Sequence, residues 1–314
     1  MKKFLKLYKS INGSEKLKQL FDSHLIIYTA VTAIVLGFSK KSLEIVRLAI
    51  NNKVVNKLRK KYTTFINEHL KNKSYDNHTH SDYVWVCWLQ GIENAPDLVK
   101  KCIYSIQNNL SEKNIVLLTE NNYKEYVKFP EYIQNKIDNG IISKTHISDL
   151  LRLELLIKYG GTWIDATVYC SGNEIPDYMF NSDLFLFQNL KPGLDGNATC
   201  ISSWFITACT NNPILVLTKE LLYKYWSEHN KMIDYFLIHD FFQLAIEAYP
   251  DEWKKVIPFS NSTPHILLLK LFEEYDELFW NSIINQTNIH KLSYKFDNKM
   301  ADLPNTYFKH IMRQ

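Results

Sequence analysis

Apolar positions change their rhythm part-way along this chain. Over residues 42–66 they fall near helical spacing (Leu43, Val46, Leu48, Ile50, Val54, Leu58), with Lys and Arg between them. That spacing predicts an amphipathic helix with a basic face. A continuous apolar run precedes it, LIIYTAVTAIVLGF at residues 25–38. Residues 1–75 therefore read as a basic helical segment. The polar, turn-rich stretch KNKSYDNHTHS at residues 71–81 marks a boundary. Beyond it, short apolar runs alternate with helical stretches. YVWVCWL (83–89), NIVLLT (114–119) and TWIDATVY (162–169) predict strands, with further strands at 184–188 and 204–207. Helices are expected over 95–108, 132–138, 148–159, 213–226 and 233–249. Such alternation implies one α/β domain over residues 76–314, a Rossmann-like, mostly parallel sheet flanked by helices. Ligands in these sheets sit beyond the carboxyl ends of the strands. Gln90, Thr119 and Asp165 stand at such ends.

The chemistry concentrates in residues 145–170, THISDLLRLELLIKYGGTWIDATVYC. Ser148 is a good N-cap residue, and Asp149 in a first turn is favoured by the helix dipole alone. Arg152 lies three residues on, on the same face. Capping and a surface ion pair would account for both. The helix is otherwise almost wholly apolar (Leu150, Leu151, Leu153, Leu155, Leu156, Ile157). A helix of that kind is buried, so its charged edge should border a cleft. Gly160 and Gly161 supply a left-handed stop. Asp165 closes an apolar run, and a buried carboxylate needs a cation or several donors. Residues i and i+2 of a strand share a face, so Asp165 and Thr167 are expected to point the same way. Both are oxygen ligands suited to Mn²⁺ or Mg²⁺.

Composition narrows the class. With 46% hydrophobic and 22% charged residues the chain is globular. Five cysteines without CxxC spacing argue against a disulfide framework or a zinc site and for a reducing, cytoplasmic setting. The net charge of +4 hides an asymmetry: residues 1–72 hold 15 Lys/Arg against 4 Asp/Glu. A basic arm on an acidic body implies an anionic partner for the arm. The 14-residue apolar run falls short of the roughly 17–25 residues of a membrane span. It reads either as a buried helix or as a segment in the membrane interface. No secretory signal pattern is present, so the expected place is the cytoplasm, peripheral at the inner membrane face. Nucleic-acid binding is disfavoured, because the arm lacks interleaved aromatics and the body is acidic.

The block SDLLRLELLIKYGGTWIDAT resembles the S-D-x-x-R…Y-G-G-x-x-x-D-x-D block of sugar-binding DXD glycosyltransferases, most of all the capsular polysaccharide synthesis protein family. VWVCWLQG, ISKTHISD, SSWFITA, DYFLIHDFF and HKLSYK fit that family in order, so the resemblance covers about residues 80–300. It implies a GT-A fold and a nucleoside-diphosphate sugar donor, a UDP-hexose above all. It further implies Mn²⁺ or Mg²⁺ on the diphosphate and transfer with retention to a saccharide acceptor, lipid-linked in surface polysaccharide synthesis. Carried over residue by residue, Asp149, Arg152 and Asp165 contact the donor. Trp88, with Trp85 second, stacks near the base beside Gln90, and His290, Ser293 and Lys295 close on the diphosphate. Asp165, Thr167 and His290 would hold the metal. Thr167 departs from the pattern, since the second aspartate of D-x-D stands there in the family. Asp149, Arg152 and Asp240 are the catalytic candidates. His239 and Asp240 read either as a core pair or as acceptor contacts, and His265, in a loop, joins the acceptor side. Asp195 and Gly196 read as a turn. A metal-dependent nucleotidyl- or phosphotransferase and a non-catalytic carbohydrate-binding assembly protein are the rival readings.

Overall fold

The computed structural model describes residues 20–21, 24–72, 78–190 and 198–314. Residues 1–19 and 22–23 of the basic arm, part of the boundary stretch (73–77) and the turn at Asp195 and Gly196 lie outside the described residues. In chain order the principal elements are α1 (Ile26–Leu36), α2 (Lys40–Asn72), β1 (Tyr83–Cys87), α3 (Asp97–Asn109), β2 (Asn114–Leu118), α4 (Lys144–Tyr159), β3 (Gly161–Asp165), β4 (Val168–Cys170), β5 (Leu184–Gln188), β6 (Ile201–Ala208), α5 (Pro213–Glu228), α6 (Leu237–Ala248) and β7 (Ile289–Lys291).

The central sheet has the order β2-β1-β3-β6-β5. β2, β1 and β3 are parallel, β6 runs against β3, and β5 runs against β6. Four of the five strands thus share a direction. Alternation along the strands sends successive side chains to opposite faces. Trp85, Trp163 and Ile206 pack into the main core with α4, α5 and α6, while Val84, Val86, Ile164 and Phe205 face the layer that includes α3. α2 joins that main core through Val54, Val55, Leu58 and Tyr62. Tyr62 meets Phe241 of α6 edge-on at 5.3 Å, and Arg59 pairs with Glu247 at 2.7 Å. α1 buries no residue of its own. Ile27 is 79% exposed, Ile34 71% and Val35 77%, so the apolar run is not a core helix.

Two local departures from the sequence reading matter for the site. α4 starts at Lys144, with Ser143 as its cap accepting from the His146 backbone N–H at 3.3 Å. Ser148 and Asp149 therefore stand inside the helix, and Asp149 is not a capping charge. The run 162–169 is also not one strand. β3 ends at Asp165, a turn covers Ala166 and Thr167, and the chain enters a second, two-stranded sheet as β4, antiparallel to β7. Val168 pairs with Lys291, Tyr169 with His290, and the Leu292 N–H donates to the Thr167 carbonyl at 2.9 Å. That register sets Lys291 beside the turn. The junction of α4 and β3 requires glycine: Gly160 and Gly161 have φ +68° and +90°, and a Cβ on Gly161 would lie 2.3 Å from the Tyr83 carbonyl oxygen.

Candidate active site

Past the carboxyl ends of β1 and β3 lies a cleft of two adjoining pockets, about 440 and 470 Å³, which share Thr145, Arg152, Asp165, Tyr235 and Lys291. The first is also lined by Trp88, Gln90, Thr167, His265, Ser293 and Lys295. The second takes in Asp149, His239, Ser203 and Asn261, with Arg47 and Asn51 from α2. The expected meeting of Asp149, Arg152 and Asp165 is observed. Arg152 is nearly fully buried and held from three directions. Its Nη1 donates to the Ser203 carbonyl of β6 at 2.6 Å, its Nε to the Ser148 carbonyl at 3.3 Å, and its Nη2 lies 3.1 Å from Asp149 Oδ1. Asp165 Oδ1 is 3.6 Å away, and the guanidinium lies over the Trp163 ring at 5.0 Å.

Each carboxylate has its own supports. The Trp226 indole N–H donates to His146 Nε2 at 2.8 Å. An indole nitrogen only donates, so His146 carries its proton on Nδ1 and gives it to Asp149 Oδ2, 3.2 Å away. Asp165 Oδ1 accepts from the Trp163 indole N–H at 2.9 Å, and Oδ2 accepts from Lys291 Nζ at 2.7 Å. Burial alone would raise the Asp165 carboxyl, but the Lys291 ammonium, the Arg152 guanidinium and these hydrogen bonds outweigh it and hold the group below the ordinary carboxylate range. Lys291 Nζ also donates to Thr167 Oγ1 at 2.6 Å. One ammonium therefore bridges the two side chains expected to ligate a metal.

The residues at this position do not fit a divalent ion. The family motif offers two carboxylates; here one carboxylate and one neutral hydroxyl face an ammonium. The third expected ligand, His290, is fully buried on the other side of β7, where its Nε2 lies 2.9 Å from Ser171 Oγ. No cluster of three or more His, Cys, Asp or Glu with metal-site geometry occurs among the described residues. An ion on Asp165 would also lie within about 5 Å of Lys291 Nζ. At an effective dielectric near 20, that repulsion costs about 7 kcal/mol.

The other candidates divide. Trp88, Gln90, Ser293 and Lys295 line the first pocket, and the Trp88 indole meets Tyr294 edge-on at 5.4 Å. Trp85 does not reach it. It is fully buried, donating from Nε1 to the Gly160 carbonyl at 3.0 Å and stacked on Tyr83, because its strand position faces the core. His239 lines the second pocket with its Nδ1 unpartnered among the described residues. Burial, with a smaller contribution from Arg152, lowers its pKa to about 4 and keeps the imidazole neutral, although Asp149 and Asp165 pull the other way. Asp240, the next residue, turns into the core. Neither carboxyl oxygen has a partner among the described residues, and burial first, then Asp234, raises its pKa well above the usual range. Asp240 is thus fully buried and, unlike His239, lines neither pocket. His265 borders the first pocket, with Nδ1 bonded to the Asn261 carbonyl at 2.7 Å. Lys291, Trp163, His146 and Ser203 escaped the sequence reading. Lys291 had one available signal: it alternates with His290 on a strand, so only one of the two can face the cleft.

The sequence profile of the capsular polysaccharide synthesis protein family matches residues 37–311, which takes in all of α2. Among curated proteins, the O-glycosyltransferase braB of Annulohypoxylon truncatum is 29% identical over 161 residues, 46% of this chain and 37% of that protein. The chain thus spans little more than a third of that relative's length. Among solved structures, a PaToxG glycosyltransferase shares 14% identity at a TM-score of 0.40, over 85% of this chain and 98% of that one. A transferase mutant shares 10% identity at a TM-score of 0.32, over 55% and 86%.

Proposed function

We infer that this chain, which belongs to the capsular polysaccharide synthesis protein family, is a glycosyltransferase that moves a sugar from a nucleoside diphosphate, a UDP-hexose in the first instance, to a saccharide acceptor. One observation carries the reading: two fixed cations, Arg152 and Lys291, border both pockets of a single polar cleft. Transfer breaks the bond between the anomeric carbon and the diphosphate oxygen, and the electron pair leaves with the diphosphate. Cations already held at that place stabilise the developing charge without reorganising. The sugar gains oxocarbenium character, which the carboxylates of Asp149 and Asp165 favour. The first pocket suits the donor: Trp88 offers a ring face for the base, and Ser293 and Lys295 offer phosphate contacts. The second pocket suits the acceptor, where neutral His239 meets a hydroxyl. Under retention the acceptor attacks from the face the diphosphate leaves, and its proton departs with the diphosphate. The test is a screen of UDP-sugars on the full chain, following UDP release and the mass of the acceptor product. Acceptor mass rising by one sugar residue is expected. A product carrying a nucleotidyl or phosphoryl group would assign the other transferase class, and a cleft that binds sugar but turns nothing over would assign a binding protein.

The acceptor is lipid-linked in this reading, and the enzyme lies at the inner face of the membrane. Among the described residues no helix is long and apolar enough to cross a membrane. α1 instead presents Ile27, Val31, Ile34 and Val35 outward, and α2, which follows it at once, carries Lys40, Lys41, Arg47 and Lys53. Apolar side chains beside clustered cations suit an anionic lipid surface, each basic residue contributing about 1 kcal/mol. Arg47 and Asn51 of α2 also line the acceptor pocket, so that pocket opens beside the lipid-facing helices. Changing Ile27 and Ile34 together to Asp should abolish co-sedimentation with phosphatidylglycerol vesicles; undiminished binding would remove the membrane from the proposal.

A further inference from the structure

Lys291 is the one cation in the cleft that occupies a place where the related enzymes are expected to carry a metal. We propose that Lys291 replaces the divalent ion: its ammonium, seated between Asp165 and Thr167, makes the contact to the sugar diphosphate that the ion would make, so that donor binding and transfer run without Mn²⁺ or Mg²⁺. This inference rests on the glycosyltransferase reading above and deepens it at one site.

Four observations carry it. The ammonium is fixed by the fold, because the pairing of Val168 with Lys291 and the bond from the Leu292 N–H to the Thr167 carbonyl bring it to the turn that follows Asp165. Its bonds leave capacity for a ligand. An ammonium has three N–H donors, Asp165 Oδ2 takes one at 2.7 Å and Thr167 Oγ1 another at 2.6 Å, and Lys291 lines both pockets. The charges also balance. Asp149 and Asp165 are matched by Arg152 and Lys291, with Lys295 further along the first pocket. An incoming diphosphate thus meets a site whose carboxylates are already neutralised. Last, Thr167 suits an ammonium. A neutral hydroxyl accepts a hydrogen bond from Lys291 without adding an anion, where a second carboxylate would leave the site net negative before the diphosphate arrives. In the transfer step the bond between the anomeric carbon and the diphosphate oxygen breaks, the pair goes to that oxygen, and the remaining Lys291 N–H donates to the diphosphate. The acceptor oxygen forms the new bond to the anomeric carbon.

The test is calorimetry on the full chain with UDP, and GDP in parallel, in EDTA and again in Mn²⁺. The natural chain is expected to bind one of these nucleotides in EDTA, with an affinity within about threefold of that in Mn²⁺. Lys291→Met, checked for an unchanged melting temperature, is expected to lose about 30-fold in both buffers, the scale of a charge-assisted contact to phosphate. Lys291→Arg should recover part of that loss. Affinity that collapses in EDTA and returns with Mn²⁺ overturns the inference and leaves the glycosyltransferase reading standing. Full affinity in Lys291→Met overturns it as well. Should Lys291→Met not fold, the comparison of EDTA and Mn²⁺ on the natural chain decides alone. Absence of binding by either nucleotide in both buffers overturns the donor site itself, and the inference with it.

Discussion

Arg152 offers the sharpest perturbation, because in the proposed reading stability and catalysis both run through it. Arg152→Met keeps most of the volume and the contact with Trp163 but removes the charge and every donor. The Ser203 carbonyl then loses its 2.6 Å bond, and among the described residues Asp149 keeps only His146. Breaking a buried ion pair by deleting one partner costs about 3–5 kcal/mol. Lys291 still covers Asp165, so the lower end, about 3 kcal/mol, applies. Unfolding entropy scales at about 2.1 cal/mol/K per residue. For 314 residues this gives about 0.7 kcal/mol per kelvin and a fall in melting temperature of about 4–5 °C. In catalysis, loss of one preorganised group facing developing charge lowers kcat about 100- to 1000-fold. Scanning fluorimetry reads the first quantity and UDP release under saturating donor reads the second. Arg152→Lys separates them: it restores charge but not the fork to Ser203 and Asp149, so it should recover more turnover than stability. An Arg152→Met protein that melts and turns over like the natural chain would refute the whole account of the cleft.

Three further outcomes follow from buried groups. Asp240→Asn removes a carboxyl whose pKa burial raises; since its folded pKa lies above the unfolded one, the carboxyl costs stability increasingly as pH rises. The variant should melt higher than the natural chain at pH 8, by an amount that shrinks toward pH 4, with UDP release unchanged. His290 has its pKa lowered by burial to about 3. Below pH 6.5 the unfolded chain takes up a proton that the folded one refuses, so stability falls with pH, by roughly 3 kcal/mol at pH 4.5 from this group; urea titrations of His290→Leu should show a flatter decline. Gly161→Ala drives a Cβ against the Tyr83 carbonyl at φ +90°. A loss of at least about 2 kcal/mol is expected, seen as a drop in urea midpoint, and an unchanged midpoint would show that the α4–β3 junction relaxes.

Much of this arrangement is legible in the sequence, for identifiable reasons. Apolar runs of strand length between helical stretches gave the α/β alternation, because buried strands admit few polar residues. The charged edge of an apolar helix located the cleft, because Asp149 and Arg152 stand among the buried leucines of α4. What escaped notice is non-local. Nothing in the sequence near residue 201 announces that β6 runs against β3, and hydropathy did not reveal that the apolar run at 162–169 breaks at Ala166. β7 has three residues, too few for alternation to show which side faces the cleft, and its partner β4 lies more than a hundred residues earlier. His290 therefore took the place of Lys291 in the sequence reading, one residue out of phase. The same error made Thr167 look like damage to a metal motif. In the fold, Thr167 accepts from the ammonium that Asp165 also holds. A hydroxyl there is consistent with a positive charge supplied by the chain, which needs an acceptor to aim it but no second anion to bind it.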